Sequence, residues 1–160
     1  MDELLYSLTV LAGAFKKELR LRWKSTWATS PRRVRLAKID AKLPSHTYLK
    51  STDQLMRAQA SVLMQLHTGH ILLNGFLHRI RKVDSPDCPA CPGTHETVHH
   101  FLFECPAFTH AQHGLARATG QYLKSLRYIL GNQDAFGPVM KFVRDLGWLK
   151  TTYGDLSRKT

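Results

Sequence analysis

The three cysteines of this 160-residue chain all fall within one stretch of 18 residues, with histidines between them. Their order is Cys88-x2-Cys91-x8-His100-x4-Cys105. Two thiolates two residues apart on a turn can bind one side of a tetrahedral ion, and a returning segment can supply an imidazole and a third thiolate. The spacing therefore predicts a structural Zn²⁺ site, since four protein ligands leave no position open for a catalytic water.

The fourth ligand of this site has three candidates. His100 is favoured over His95 and His99 because the step from His100 to Cys105 spans one helical turn and its exit at Pro106. The alternative for the whole group is a cluster of buried free thiols, because reduced cysteine is among the most buried residue types. Three cysteines cannot all pair with one another, so a secreted disulfide framework is disfavoured and an intracellular protein, nuclear or cytoplasmic, is expected.

The apolar composition favours helices over strands. Leucine occurs 23 times and isoleucine and valine together 11 times, so β-branched strand formers are scarce. We predict a mostly α-helical small domain with a Cys3His zinc knuckle and little or no β-structure. Its expected parts are a basic N-terminal helix and connector (residues 1–50), a helical hairpin with the zinc-binding core (51–110), and C-terminal helices that pack on that core (111–160).

Helical periodicity predicts a first helix over residues 3–27, with Trp23 and Trp27 in the core. Ser30-Pro31 ends this helix, because the residue before a proline is disfavoured in the α region. Residues 32–43 hold few apolar side chains and are predicted to form a basic connector. The other predicted helices cover residues 52–68, 72–81, 108–118, 122–130 and 139–146.

Charge is unevenly distributed along the chain, which has a formal net charge of +11. Residues 1–50 contribute +7, residues 51–110 contribute −1 and residues 111–160 contribute +5. Clustered Lys and Arg release counterions from phosphate backbones, so template RNA or target DNA is the expected partner, with a solubilising surface as the alternative. The candidate nucleic-acid-binding residues are Lys16, Lys17, Arg20, Lys24, Arg32, Arg33, Arg35, Lys38, Arg79, Arg81 and Lys82.

Four motifs in fixed order resemble a known family. They are Thr68-Gly-His, Leu73-Asn, Ser85-Pro-x-Cys-x-x-Cys and Glu96-Thr-x-x-His-x4-Cys-Pro. Together they resemble the zinc-binding region that follows the ribonuclease H domain in fungal non-LTR (LINE-like) retrotransposon polyproteins, from about residue 23 to residue 106. The resemblance implies Cys88, Cys91, His100 and Cys105 as the ligand set. It further implies an accessory region of a reverse transcriptase that binds RNA or DNA.

No enzymatic activity is expected from the chain itself. A reverse transcriptase needs paired aspartates and ribonuclease H needs a cluster of carboxylates that binds two metal ions, whereas the twelve acidic residues here are scattered and include no Asp-Asp pair. No run reaches the 18 apolar residues of a membrane span, and neither a membrane nor a small-molecule substrate is expected as a partner. The alternative function is a protein-interaction module that docks on the polymerase or ribonuclease H domain of the same polyprotein.

Overall fold

A computed structural model describes residues 7–40, 47–122, 124–147, 149–154 and 156. Within these residues the chain forms ten α-helices, two 3₁₀ turns and one two-stranded hairpin. The prediction of a mostly helical small domain with little β-structure is confirmed. The elements in order are α1 Leu8–Thr29, α2 Pro31–Ile39, α3 Thr47–Thr52, α4 Arg57–Thr68, α5 Asn74–Arg79, β1 Asp87–Cys88, β2 Cys91–His95, α6 Val98–Phe103, a 3₁₀ turn Pro106–Phe108, α7 Thr109–Thr119, a 3₁₀ turn Gly120–Tyr122, α8 Leu126–Gly131, α9 Gln133–Asp145 and α10 Lys150–Tyr153.

Helix α1 ends as predicted but buries none of its described side chains. Ser30 terminates it in an extended conformation and the Ser30 hydroxyl then accepts from the Arg32 amide to cap α2. The predicted core position of Trp23 is wrong, because this side chain is 47% exposed, while Trp27 is half-buried. Helical spacing shows which residues share a face, but not whether another element covers that face.

Residues 32–39 of the predicted basic connector lie in helix α2. Pro31 occupies its first turn, where the missing N–H costs nothing. Ile39 is its one buried residue within the described chain, and α2 packs against α4 and α8. The carbonyl oxygen of Ile39 lies only 3.1 Å from the position that an ideal Cβ on Gly131 would take, so α2 and α8 approach closely. The sequence pattern does not predict this helix, because the helix is stabilised by contacts with α4 and α8.

The core is formed mainly by α4, α6, α8 and α9, with Ile39 of α2 and Leu115 of α7, and is built from leucine, isoleucine, valine, phenylalanine and Met140. Phe101 on α6 packs edge-to-face on Phe142 of α9 and on Phe108, with ring centroids 5.2 and 5.3 Å apart. His67 on α4 binds the Leu130 carbonyl through Nε2 at 2.6 Å and is a structural residue. The segment that carries the candidate ligands is therefore anchored to the hydrophobic core through α6.

Helices α4 and α5 lie where helices over residues 52–68 and 72–81 were predicted, and both are shorter than predicted. Gly69 ends α4 in the left-handed conformation, with φ 68°, as the predicted stop requires. Helix α5 is only six residues long.

In the C-terminal part, the predicted helix 122–130 is a 3₁₀ turn followed by α8, because the Ser125 hydroxyl accepts from the Tyr128 amide and caps α8. Helix α9 starts six residues before the predicted Val139, since Asn132 caps it, and it contains Pro138.

Candidate metal centre

A short antiparallel hairpin brings the first two cysteines together. Strands β1 and β2 pair Cys88 with Cys91 across a turn formed by residues 89–90. The Asp87 carboxylate accepts from the Gly93 amide at 3.2 Å and so closes the base of this turn. Gly93 has φ 79°, a conformation that favours glycine. Local backbone geometry therefore places both thiols on one side of a tight turn.

Helix α6 supplies the other two side chains. The Thr97 hydroxyl accepts from the His100 amide at 3.1 Å and caps the helix. His100 lies in the first turn of α6, and Cys105 follows the end of the helix, with its amide donating to the His100 carbonyl at 2.9 Å. The helix exit therefore returns Cys105 to the side of His100, as the spacing predicted.

The four side chains converge on one point. The Sγ atoms of Cys88, Cys91 and Cys105 and a ring nitrogen of His100 all lie within 4.8 Å of one another. Cys105 Sγ lies 3.7 Å from Cys88 Sγ and 3.9 Å from Cys91 Sγ. Tetrahedral thiolates bound at the usual Zn–S distance have sulfurs about 3.8 Å apart, whereas a disulfide needs about 2.05 Å. The spacing fits a shared metal ion and excludes a disulfide.

The imidazole of His100 is buried and both of its ring nitrogens lack a hydrogen-bond partner within the described residues. A buried polar atom without a partner is costly, so an ion bound to one nitrogen would remove an energetic penalty. Nδ1 lies 3.7 Å from a carboxylate oxygen of Glu104. Metal-bound histidines commonly direct their second nitrogen to a carboxylate, and this arrangement is compatible with that role for Glu104.

The other two candidate histidines lie outside the group. His99 is half-buried, and its Nδ1 lies 3.1 Å from the second carboxylate oxygen of Glu104. His95 is exposed at the end of β2. The structure therefore assembles His100, and neither His95 nor His99, with the three thiols.

Desolvation raises the pKa of the Cys105 thiol to about 12 and also raises the pKa of Cys91. The neighbouring thiol of Cys88 acts in the same direction on both. A bare thiolate is disfavoured in such a place, and a divalent cation is the group that would make three clustered thiolates favourable. The donor set of three sulfurs and one imidazole suits Zn²⁺.

Helix α5 is joined to this site by contacts that the sequence analysis did not predict. A carboxylate oxygen of the buried Glu96 accepts from the Asn74 amide at 2.5 Å, and the Glu96 carbonyl accepts from the Gly75 amide at 3.3 Å. The Asn74 side chain donates to the Asp87 carbonyl at 2.8 Å. The start of α5 is thereby bound to both the hairpin and the segment that leads into α6. No sequence signal connects Asn74 with Glu96, because their pairing depends on tertiary packing.

All eleven candidate nucleic-acid-binding residues are exposed. Among the described residues none of them forms an ion pair with an acid, in contrast to Arg22, which pairs with Glu18 at 2.6 Å. They occupy three places. Four lie on α1, four on α2, and Arg79, Arg81 and Lys82 lie at and after the end of α5.

Within the described residues no helix combines the length and the apolar character needed to cross a bilayer. Comparison of the chain with protein-family models, with curated proteins and with solved structures found no match, so its function is inferred from its own residues.

Proposed function

We propose that this chain is a non-catalytic, nucleic-acid-binding module stabilised by one structural Zn²⁺, and that it is the accessory region of a retrotransposon reverse transcriptase and ribonuclease H polyprotein, or a remnant of one. The convergence of three thiols and a buried imidazole that has no hydrogen-bond partner among the described residues supports the metal. The motif order around these residues supports the retrotransposon origin.

One observation carries the nucleic-acid proposal. Eleven exposed basic residues form no ion pair with any acid among the described residues. Exposed cations on a protein surface are usually offset by nearby carboxylates when their role is solubility. Here no described carboxylate pairs with the basic side chains of α1, α2 and the end of α5, so these side chains can pair with an external polyanion. Contacts to phosphate of this kind give affinity without base specificity.

The metal would contribute to nucleic-acid binding by fixing the position of α5 and of the basic residues Arg79, Arg81 and Lys82 at its end. Zn²⁺ would hold the hairpin against α6, α6 is anchored in the core by Phe101, and α5 is bound to the hairpin by Asn74. Loss of the ion would therefore loosen the position of α5 and of the basic residues at its C-terminal end.

Two measurements on the purified chain test this proposal. Zinc content should be one ion per chain for the wild type and should fall sharply for Cys88→Ser. Binding of fluorescein-labelled single-stranded RNA and duplex DNA should weaken steeply as salt is raised. Absence of binding at low salt, or affinity that is independent of salt, would rule out the nucleic-acid role, and a zinc-free wild type would rule out the metal.

A protein-interaction module is the second candidate, and helix α1 is the observation that favours it. Leu8, Leu11, Phe15 and Leu19 recur on one face of α1, and all are exposed, at 86, 51, 61 and 48%. Such a face suits docking on the polymerase or ribonuclease H domain of the same polyprotein. A double substitution of Leu11 and Phe15 by Gln, which leaves the charge of α1 unchanged, should abolish docking on those domains and should not alter any binding of RNA if this candidate is correct.

A further inference from the structure

Arg35 of α2, His70 after α4 and Arg79 of α5 form a cationic cluster that three separate elements bring together. Arg32 belongs to the same cluster because it lies one helical turn before Arg35 on α2. Arg35 lies directly over Gly69, the residue that ends α4. An ideal Cβ at Gly69 would be only 1.9 Å from Nη2 and 2.4 Å from Nη1 of Arg35. The guanidinium therefore occupies the space that any other residue at position 69 would fill.

Phe76 connects the other two members of the cationic cluster. Its ring meets the His70 ring edge-to-face with centroids 5.1 Å apart and an interplanar angle of 71°. The guanidinium carbon of Arg79 lies 5.3 Å from the centroid of the same ring. Phe76 thus contacts both an imidazole and a guanidinium, and Arg35 lies over Gly69, the residue next to His70.

The guanidinium charges of the cationic cluster repel one another and disfavour the protonated form of His70. Desolvation lowers the pKa of His70, and Arg79, Arg35 and Arg32 lower it further. Desolvation also lowers the pKa of Arg35, with Arg79 acting in the same direction. In the part of the chain that the structure describes, no carboxylate pairs with any of the four side chains. Like charges gathered without a counterion are unfavourable, and an anion bound among them would relieve the repulsion.

We propose that Arg32, Arg35, His70 and Arg79 form a binding site for a backbone phosphate of nucleic acid. This inference rests on the proposed nucleic-acid-binding function and locates its principal contact. Guanidinium groups bind phosphate oxygens with paired, charge-assisted hydrogen bonds, which makes arginine the preferred residue at such sites. The side chains of Arg35 and Arg79 form no hydrogen bond with other described residues, so their donors are available to a ligand. Exposed Arg33 and Lys38 lie on the same helix as Arg35, and exposed Arg81 and Lys82 follow the end of α5.

The test compares Arg35→Gln and Arg79→Gln with Arg22→Gln as the matched control. All three remove one charge from an exposed arginine, but Arg22 lies outside the cationic cluster and pairs with Glu18. At one fixed salt concentration, each cluster variant should bind labelled single-stranded RNA about tenfold more weakly than wild type. The control should change affinity by less than about threefold. Equal losses in all three variants would show that only overall charge matters and would overturn the site, while the nucleic-acid role would stand.

A second measurement remains decisive if an arginine variant folds poorly. In the wild-type protein, NMR titration of the His70 imidazole with and without inorganic pyrophosphate should show a higher pKa with the anion, because bound phosphate offsets Arg32, Arg35 and Arg79. An unchanged His70 pKa would overturn the site. A protein that responds to pyrophosphate but binds neither RNA nor DNA would overturn both the proposed function and the assignment of this site to a nucleic-acid backbone, and would indicate a site for free phosphate.

Discussion

Gly69 combines two constraints at a single residue. Its φ of 68° is unfavourable for residues with a Cβ, and the Arg35 guanidinium lies where that Cβ would be. Gly69→Ala should therefore lower the free energy of unfolding by about 1–2 kcal/mol from the backbone alone, with a further cost from moving Arg35. Chemical denaturation followed by circular dichroism measures this change.

Gly114 offers the control for that substitution. It lies within α7 and its φ is not positive. No atom outside its own helix backbone lies within 4 Å of the position of an ideal Cβ. Gly114→Ala should stabilise the protein by about 0.5–1 kcal/mol, because alanine is the better helix former. If the two variants had the same free energy of unfolding, the described contact of Arg35 with Gly69 and the left-handed conformation of Gly69 would both be contradicted.

The choice between adjacent histidines can be tested directly. His100→Ala removes the buried imidazole that lies within 4.8 Å of the three thiols, so zinc affinity should fall by at least about 100-fold. His99→Ala removes a half-buried ring that faces Glu104 and should change zinc affinity by less than about tenfold. Competition with a colorimetric chelator measures both values. Similar losses in the two variants would contradict the assignment of His100 as the ligand.

The grouping of the four candidate ligands could be predicted from sequence because it is decided locally. A two-residue turn and one helical exit place Cys88, Cys91, His100 and Cys105 together, and both are visible in the spacing. The contacts of Arg35 with Gly69 and of Asn74 with Glu96 join residues far apart in the chain. They depend on how elements pack, and no pattern within either segment reports them.

At the scale of elements, the residues that end helices were predicted better than the lengths of the helices. Ser30-Pro31 and Gly69 act through their own backbone preferences, so the ends of α1 and α4 follow from sequence. Helix α2 has few apolar residues and gains its stability from α4 and α8, which its own pattern does not show. Strand β1 has only two residues, too few for any alternation to appear.

The hairpin and α6 should depend on metal more than the rest of the fold does. If the proposed Zn²⁺ is bound, its removal by a chelator should speed hydrogen exchange at the amides of Gly93 and Glu96, which donate to Asp87 and Pro86 beside the candidate ligands. Amides of Phe142 and Val143 in α9 should change far less, since they lie in the buried core. Mass spectrometry of exchanged peptides measures the difference. Equal acceleration in both regions would show that metal removal unfolds the whole domain.

For the whole molecule, the two candidate functions make different predictions about α1. Its four candidate basic residues are exposed, and none of its described side chains is buried, so they can be replaced without disturbing the core. The variant with Lys16, Lys17, Arg20 and Lys24 all changed to Gln should therefore keep the unfolding midpoint of the wild type.

If α1 follows the nucleic-acid backbone, each lost phosphate contact reduces the slope of log affinity against log salt by about 0.7 for a single strand. The slope for single-stranded RNA should then fall by up to about 3 in this fourfold variant. If α1 instead docks on a partner domain, the slope should equal that of the wild type, while the substitutions of Leu11 and Phe15 abolish docking. Measuring the RNA-binding slope of both variants assigns α1 to one role, because the charged and apolar faces of the same helix are changed separately.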